Sequence, residues 1–258
     1  MGTYSTTFPY APLWLLSLVF FASLIVAREA GAYVRRRRGG DTGTDADAFA
    51  MTSVLGLLAL LIGFTFSIAL SRYEERRALV VSEANALGTT WLRTQLLDSP
   101  DRERVQAQLR RYVDSRLAFG RASGADEELR EQRRTEALQN ELWVTLMSAI
   151  APFRDTPRAS LLVTTTNESI DLAAERFATR QAHVPPRILR MLWLFALLAA
   201  AMVGYERGSH RKSTTLLLVL FTLAAALVID LDRPSTGMIN VPQTPMLDLR
   251  HSMAQSRP

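Results

Sequence analysis

Apolar positions in this chain fall into four runs, at residues 10–27, 50–70, 188–205 and 214–229, separated by stretches dense in charge. A hydrocarbon core about 30 Å thick takes roughly 20 mainly apolar residues in a helix. The second run meets this without one formally charged residue. The first and third are slightly short, and the fourth must recruit flanking residues. None carries the polar face that a helix on a soluble core keeps toward water. The pattern predicts four membrane-crossing helices. They pair into two hairpins through the basic connections REAGAYVRRRRGG and YERGSHRKS. No basic residue precedes the first run and no small-residue cleavage site follows it, so it reads as a retained helix rather than a removed signal.

Between the hairpins the periodicity stays helical but turns amphipathic. SRYEERRALVVSEANALGTTWLRTQLL contains no proline and continues the second membrane helix to the stop at Asp98-Ser99-Pro100. Val105, Leu109, Tyr112, Val113 and Leu117 then recur at helical spacing, up to the breakers Gly120 and Gly124. Another helix carries Leu129, Leu138, Leu142 and Leu146, and a last one over about 158–182 stops at Pro185-Pro186. No segment alternates as a strand would. The expected fold is all-α, with four transmembrane helices in two hairpins and a helical extramembrane block between helices two and three. The expected divisions are 1–70 (first hairpin), 71–187 (block), 188–230 (second hairpin) and 231–258 (irregular tail).

Composition narrows the chemistry. There is no cysteine, so neither disulfides nor thiolate metal sites arise. Histidine is limited to His183, His210 and His251, scattered and without carboxylates at ligand spacing. No zinc-protease motif, phosphate loop or serine elbow is present, so no catalytic residue, metal ligand or cofactor is assigned and the chain reads as a non-enzyme. The net charge of +5 does not indicate nucleic acid, because the basic clusters at 35–38 and 207–212 adjoin the membrane runs. Those clusters place the two connections in the cytoplasm by the positive-inside rule. By chain parity the block and tail then lie outside.

On the second helix, Ser53, Gly56, Leu60, Gly63 and Ser67 share one face at spacings of three and four, with Phe64 beside them. Small residues let membrane helices approach closely, the commoner use of such a stripe. The same face also suits a narrow pore, with Leu60 or Phe64 as a hydrophobic gate. On the third helix Ala196, Ala200 and Gly204 form a plainer packing stripe. Beyond the second helix lie Arg72, Arg76, Glu83 and Asn85, read either as a charged vestibule or as ordinary pairing along a surface helix.

Asp230 and Asp232 end the fourth run, where the helix macrodipole disfavours carboxylates. Parity puts them on the side that holds Arg72, Arg76 and Arg190, with Arg233 adjacent, and pairing with one of these arginines relieves the cost. A structural clamp is the plainer reading and a cation site between the aspartates the sharper one. The apolar positions of 238–249 are expected to fold back on the extramembrane helices.

Two stretches, IGFTFSIALSRYEERRALVVSEANALGTTWL and DLDRPSTGMINVPQTPMLDL, resemble the bestrophin-like family of bacterial multipass membrane proteins. The family's name points to bestrophins, pentameric ion channels whose second helix lines the pore. Gly63-Phe64-Thr65-Phe66-Ser67 and Arg72-Tyr73 are similar to the end of that helix. The three apolar residues that narrow a bestrophin pore would fall at Gly56, Leu60 and Phe64. The sequence departs there, since Gly56 has no side chain and Leu60 is not aromatic, and it lacks the bestrophin acidic calcium cluster. Bestrophins also keep the end of this helix in the cytoplasm, against the charge bias above. The resemblance implies a homo-oligomer in lipid, in a bacterial inner membrane, passing small inorganic ions through Ser53, Gly56, Leu60, Gly63, Phe64 and Ser67. The alternative from another class is a non-conducting membrane scaffold or sensor whose helical block binds a partner.

Overall fold

The structure is a computed structural model that describes residues 11–38, 45–207, 210–234 and 236–255. The described residues form α1 (Leu13–Arg37), α2 (Asp45–Arg93), α3 (Asp101–Arg121), α4 (Ala125–Ile150), α5 (Pro157–Gln181), α6 (Pro186–Arg207), α7 (Arg211–Asp232) and α8 (Thr244–Gln255). No strand occurs among them. Four helical stretches are long and apolar enough to cross a membrane; they contain α1, α2, α6 and α7.

The helix ends follow from local chemistry. Asp101 and Glu103 sit in the first turn of α3, and Asp126, Glu127 and Glu128 in that of α4, where negative charge meets the positive end of the macrodipole. Thr156 caps α5 by accepting from the Ala159 amide at 3.4 Å, and Pro157 fills the first helical position. Arg35, Arg36 and Arg37 occupy the last turn of α1. Of these, Arg35 donates to the carbonyls of Tyr205 and Glu206 at the end of α6, at 2.8 and 2.6 Å. Arg28, the first residue of the first basic connection, is buried and bonds Thr215 at 2.6 Å and Glu29 at 2.7 Å.

The chain divides into two compact units, one of Met1–Arg72 with His183–Arg233 and one of Tyr73–Ala182 with Pro234–Pro258. The four segments expected in series thus combine in pairs that are distant in sequence.

In the first unit α1 packs on α6 and α7, and α6 on α7. Phe20, Leu24, Leu58, Leu192, Ala196, Ala200 and Leu218 form its core. Phe20 and Trp193 meet edge to face at 5.5 Å, and the Trp193 indole donates to Ser23 at 3.1 Å. Gly31 and Gly204 lie at reciprocal points of the α1–α6 crossing. A methyl on Gly31 would overlap the Ala201 carbonyl, and one on Gly204 the Arg28 carbonyl. This close approach gives Ala196, Ala200 and Gly204 their packing role. Gly208, the counterpart of Gly31 in the second connection, lies outside the described residues.

The second unit surrounds Leu87, Leu109, Tyr112, Val113, Leu142, Leu146, Leu162 and Met246. Its last element corrects the expectation of an irregular tail. Pro242 lies in the approach and Pro245 in the first turn of a helix over Thr244–Gln255, with Met246 and Met253 buried in the core and α8 packed on α3. Proline is tolerated in a first helical turn, where its missing N–H would have no partner. Met238, at the start of the stretch expected to fold back, is exposed instead.

Candidate functional site

The membrane part of α2 has two unlike sides. Leu58, Thr65 and Ala69 are buried within the first unit, and Val54, Leu55, Leu61 and Ile62 pack against its core. The opposite side carries Ser53, Gly56, Leu60, Gly63, Phe64 and Ser67, and all six are exposed. Leu60 and Phe64 keep 53% and 62% of their surface, and a methyl added to Gly56 or Gly63 would meet nothing within 4 Å. Small residues therefore serve two purposes in this protein. On α6 they are filled by α1, and on α2 no helix among the described residues covers them. Among the described residues, nothing packs over the α2 stripe.

The residues beyond the span do not form one solvated face. Glu83 is fully buried in the second unit, so it is not part of an open vestibule. Its carboxylate bridges two guanidiniums, accepting from Arg116 Nε and, at 2.6 Å, from Arg176 Nη1. Arg76 is buried in the same unit and Asn85 is exposed on α2. Arg72 is half-buried in the first unit. The separation follows from helical register: seven residues between Arg76 and Glu83 keep those two on the inward side, and two more rotate Asn85 out of the core.

Around Glu83 is a cluster that the sequence does not announce. Arg180 donates from Nε to Glu128 at 2.9 Å and from Nη1 to the Phe119 carbonyl at 3.0 Å, and from Nη2 to the Ala122 carbonyl. It therefore caps the C-terminal end of α3, where cations are favoured. Arg116, Arg176 and Arg180 all approach the Phe119 ring, at 4.6, 5.6 and 4.9 Å from its centroid. The signal available in sequence was Arg116 itself, on the apolar stripe of α3 between Val113 and Leu117. Its partner Glu83 is 33 residues away, and Arg176 is 93 residues from Glu83.

At the end of α7, Asp230 is buried. Asp232 accepts from the Val184 amide at 2.8 Å, and its other oxygen is 3.4 Å from His183 Nδ1. His183 was not among the expected partners, because nothing in its sequence surroundings marks it. Burial lowers the pKa of Arg233 below the ordinary guanidinium value, while Asp230 and Asp232 both favour its charged form. Arg190 is exposed and bonds back to the Pro186 carbonyl at 3.4 Å. No group of three or more metal-ligating side chains occurs among the described residues.

The family model of the Bestrophin-like domain matches residues 15–246, nearly the whole chain. The protein belongs to the Bestrophin-like family. Its fold is similar to that of a bacterial bestrophin homologue from Klebsiella pneumoniae, with a TM-score of 0.69 at 17% identity, covering 94% of this chain and 98% of that one. A variant of that homologue with one leucine replaced by threonine gives the same TM-score and coverage. A solved membrane protein with one proline replaced by alanine matches with a TM-score of 0.69 at 16% identity, over 94% of this chain and 97% of that one. No curated protein matches the sequence. Family and apolar helices together make this Bestrophin-like chain a membrane protein.

Proposed function

We propose that this Bestrophin-like protein is one subunit of an oligomeric ion channel in the bacterial inner membrane, with α2 lining the conducting path. The observation that carries this reading is the bare α2 face: Ser53, Gly56, Leu60, Gly63, Phe64 and Ser67 have no cover among the described residues. Arranged around an axis, glycines and serines leave width and hydroxyls for a hydrated ion. Leu60 and Phe64 supply a hydrophobic constriction that gates by dewetting. The clamp reading of Asp230 and Asp232 fits this better than a cation site, because Asp232 already spends its oxygens on Val184 and His183.

Purified protein in liposomes is expected to pass chloride or sodium, and Leu60→Ala with Phe64→Ala to raise that flux severalfold by widening the constriction. A folded oligomer that passes neither ion would instead support the scaffold reading. Flux unchanged in both variants would remove α2 from the constriction.

Orientation is proposed from the charges outside the α1–α6 capping contacts. Arg36, Arg37, Arg38, Arg211 and Lys212 are exposed and favour cytoplasmic connections. A Ser99→Cys substitution in this cysteine-free chain is then expected to react with an impermeant thiol reagent in intact spheroplasts. Protection until lysis would reverse the assignment.

A further inference from the structure

In the first unit, exposed apolar stripes on α1 and α7 run into exposed basic groups. On α1, Ala22, Val26, Ala30 and Tyr33 recur at steps of four and three on the exposed side, with Val26 at 68% and Tyr33 at 52%. On α7, Leu216, Leu220 and Leu223 do the same, and their stripe starts at Arg211 and Lys212. α1 packs on α7, and polar bonds tie the two helices at the basic end. Arg28 Nη1 donates to Thr215 Oγ1 at 2.6 Å, and Glu29 accepts from Arg28 at 2.7 Å and from Arg211 at 3.0 Å. Arg36 is seven residues beyond Glu29, so it shares the side of α1 that meets Arg211. Arg37 lies over the Tyr33 ring, 4.9 Å from its centroid.

Arg28 and Arg211 share Glu29, and no described carboxylate is bonded to Arg36, Arg37 or Lys212, which are all exposed. Over residues 28–47 and 206–212 as a whole, eight Arg and Lys stand against five Asp and Glu, so the excess is positive. Half of a hydrocarbon core is about 15 Å thick, or about ten helical residues. Ala22–Tyr33 and Lys212–Leu223 each cover that length. Tyrosine favours the headgroup level of a bilayer, and guanidinium N–H groups match phosphate oxygens. A soluble acidic partner would use the charges but leave the apolar stripes idle.

We propose that the groove between α1 and α7 binds an anionic phospholipid, with its phosphate against Arg36, Arg37 and Lys212 and an acyl chain along Val26, Ala30 and Leu216. The positive excess selects against a zwitterionic lipid, whose headgroup cation would be repelled. The site is separate from the α2 face and does not require that the protein conduct. Nor does it depend on orientation, because both connections meet the same leaflet either way.

The test uses the full-length protein in detergent, where conduction plays no part. Phosphatidylglycerol, phosphatidylcholine with the same acyl chains, glycerol 3-phosphate and inorganic phosphate are added separately. The expected result is a saturable rise in Tm with phosphatidylglycerol alone, since a ligand of the folded state stabilises it by mass action. Native mass spectra should show that lipid retained severalfold over phosphatidylcholine. Combining Arg36→Gln, Arg37→Gln and Lys212→Gln is expected to abolish both effects and to leave Tm in phosphatidylcholine unchanged. Combining Arg121→Gln, Arg130→Gln and Arg133→Gln removes the same charge from exposed positions of the second unit and should preserve both. Should the first triple variant fail to fold, Lys212→Gln alone should lower the retained phosphatidylglycerol. An equal rise with phosphatidylcholine would mean no headgroup selection, and an equal rise with either soluble phosphate would mean a free-anion site. Either result, or equal loss in both triple variants, or full retention in the first triple variant or in Lys212→Gln, would overturn the proposal. Leu60→Ala should leave the lipid response intact, so failure of this site and failure of the channel reading are separable.

Discussion

Glu83→Ala is expected to destabilise the protein by about 3–5 kcal/mol, the range for removing one partner of a buried ion pair. The carboxylate is fully buried and bonded to Arg116 and Arg176, and its loss leaves both cations in the core with no negative group between them. Domains are typically stable by only about 5–15 kcal/mol, so one such change removes a large share. Glu141→Ala is the control. Its bond to Arg111, at 2.7 Å, joins two exposed side chains and should contribute about 0–1 kcal/mol. Denaturant midpoints of the purified proteins check both values. A Glu83 variant as stable as the Glu141 variant would mean that water or another group takes over the carboxylate's work.

Gly31→Ala and Gly204→Ala should each prevent assembly of the first unit, or cost it at least about 1–3 kcal/mol, the usual range for overpacking. The colliding atoms are backbone carbonyls on the opposing helix, not side-chain ends that can rotate away. The two variants act on one crossing, so the double variant should cost less than the sum of the singles. Size-exclusion profiles and melting of detergent extracts read the effect. Gly56→Ala and Gly63→Ala sit in the same kind of stripe but face open space. They should leave the fold of the single chain intact, so any change in oligomer yield would report a neighbouring subunit. Wild-type behaviour of both Gly31→Ala and Gly204→Ala would show that α1 and α6 do not approach as described.

The contrast between the glycine stripes marks where reading the sequence stops. Ser53, Gly56, Leu60, Gly63 and Ser67 on α2, at steps of three and four, and Ala196, Ala200 and Gly204 on α6, at steps of four, each line one helix face. Periodicity gives the width of a face but not what lies against it. The tail was misread for a related reason: two prolines suggested irregular chain, while Met246 and Met253 made a buried face for α8. Glu83 was singled out from sequence, yet its setting was not, because a carboxylate among arginines looks alike whether solvated or enclosed.

By itself the sequence determined the helical class, the four apolar runs, the stops at Asp98-Ser99-Pro100 and Pro185-Pro186, and the resemblance to the Bestrophin-like family. Each of these depends on hydrophobic length, backbone restriction or local motif, all of which act over a few turns. Tertiary structure alone decided which glycines are filled, that Arg35 caps α6, that His183 and Val184 hold Asp232, and that three arginines gather on Phe119. Those outcomes depend on groups tens of residues apart, brought together when the core closes. Burial then turns an ordinary charged side chain into one that must find a partner.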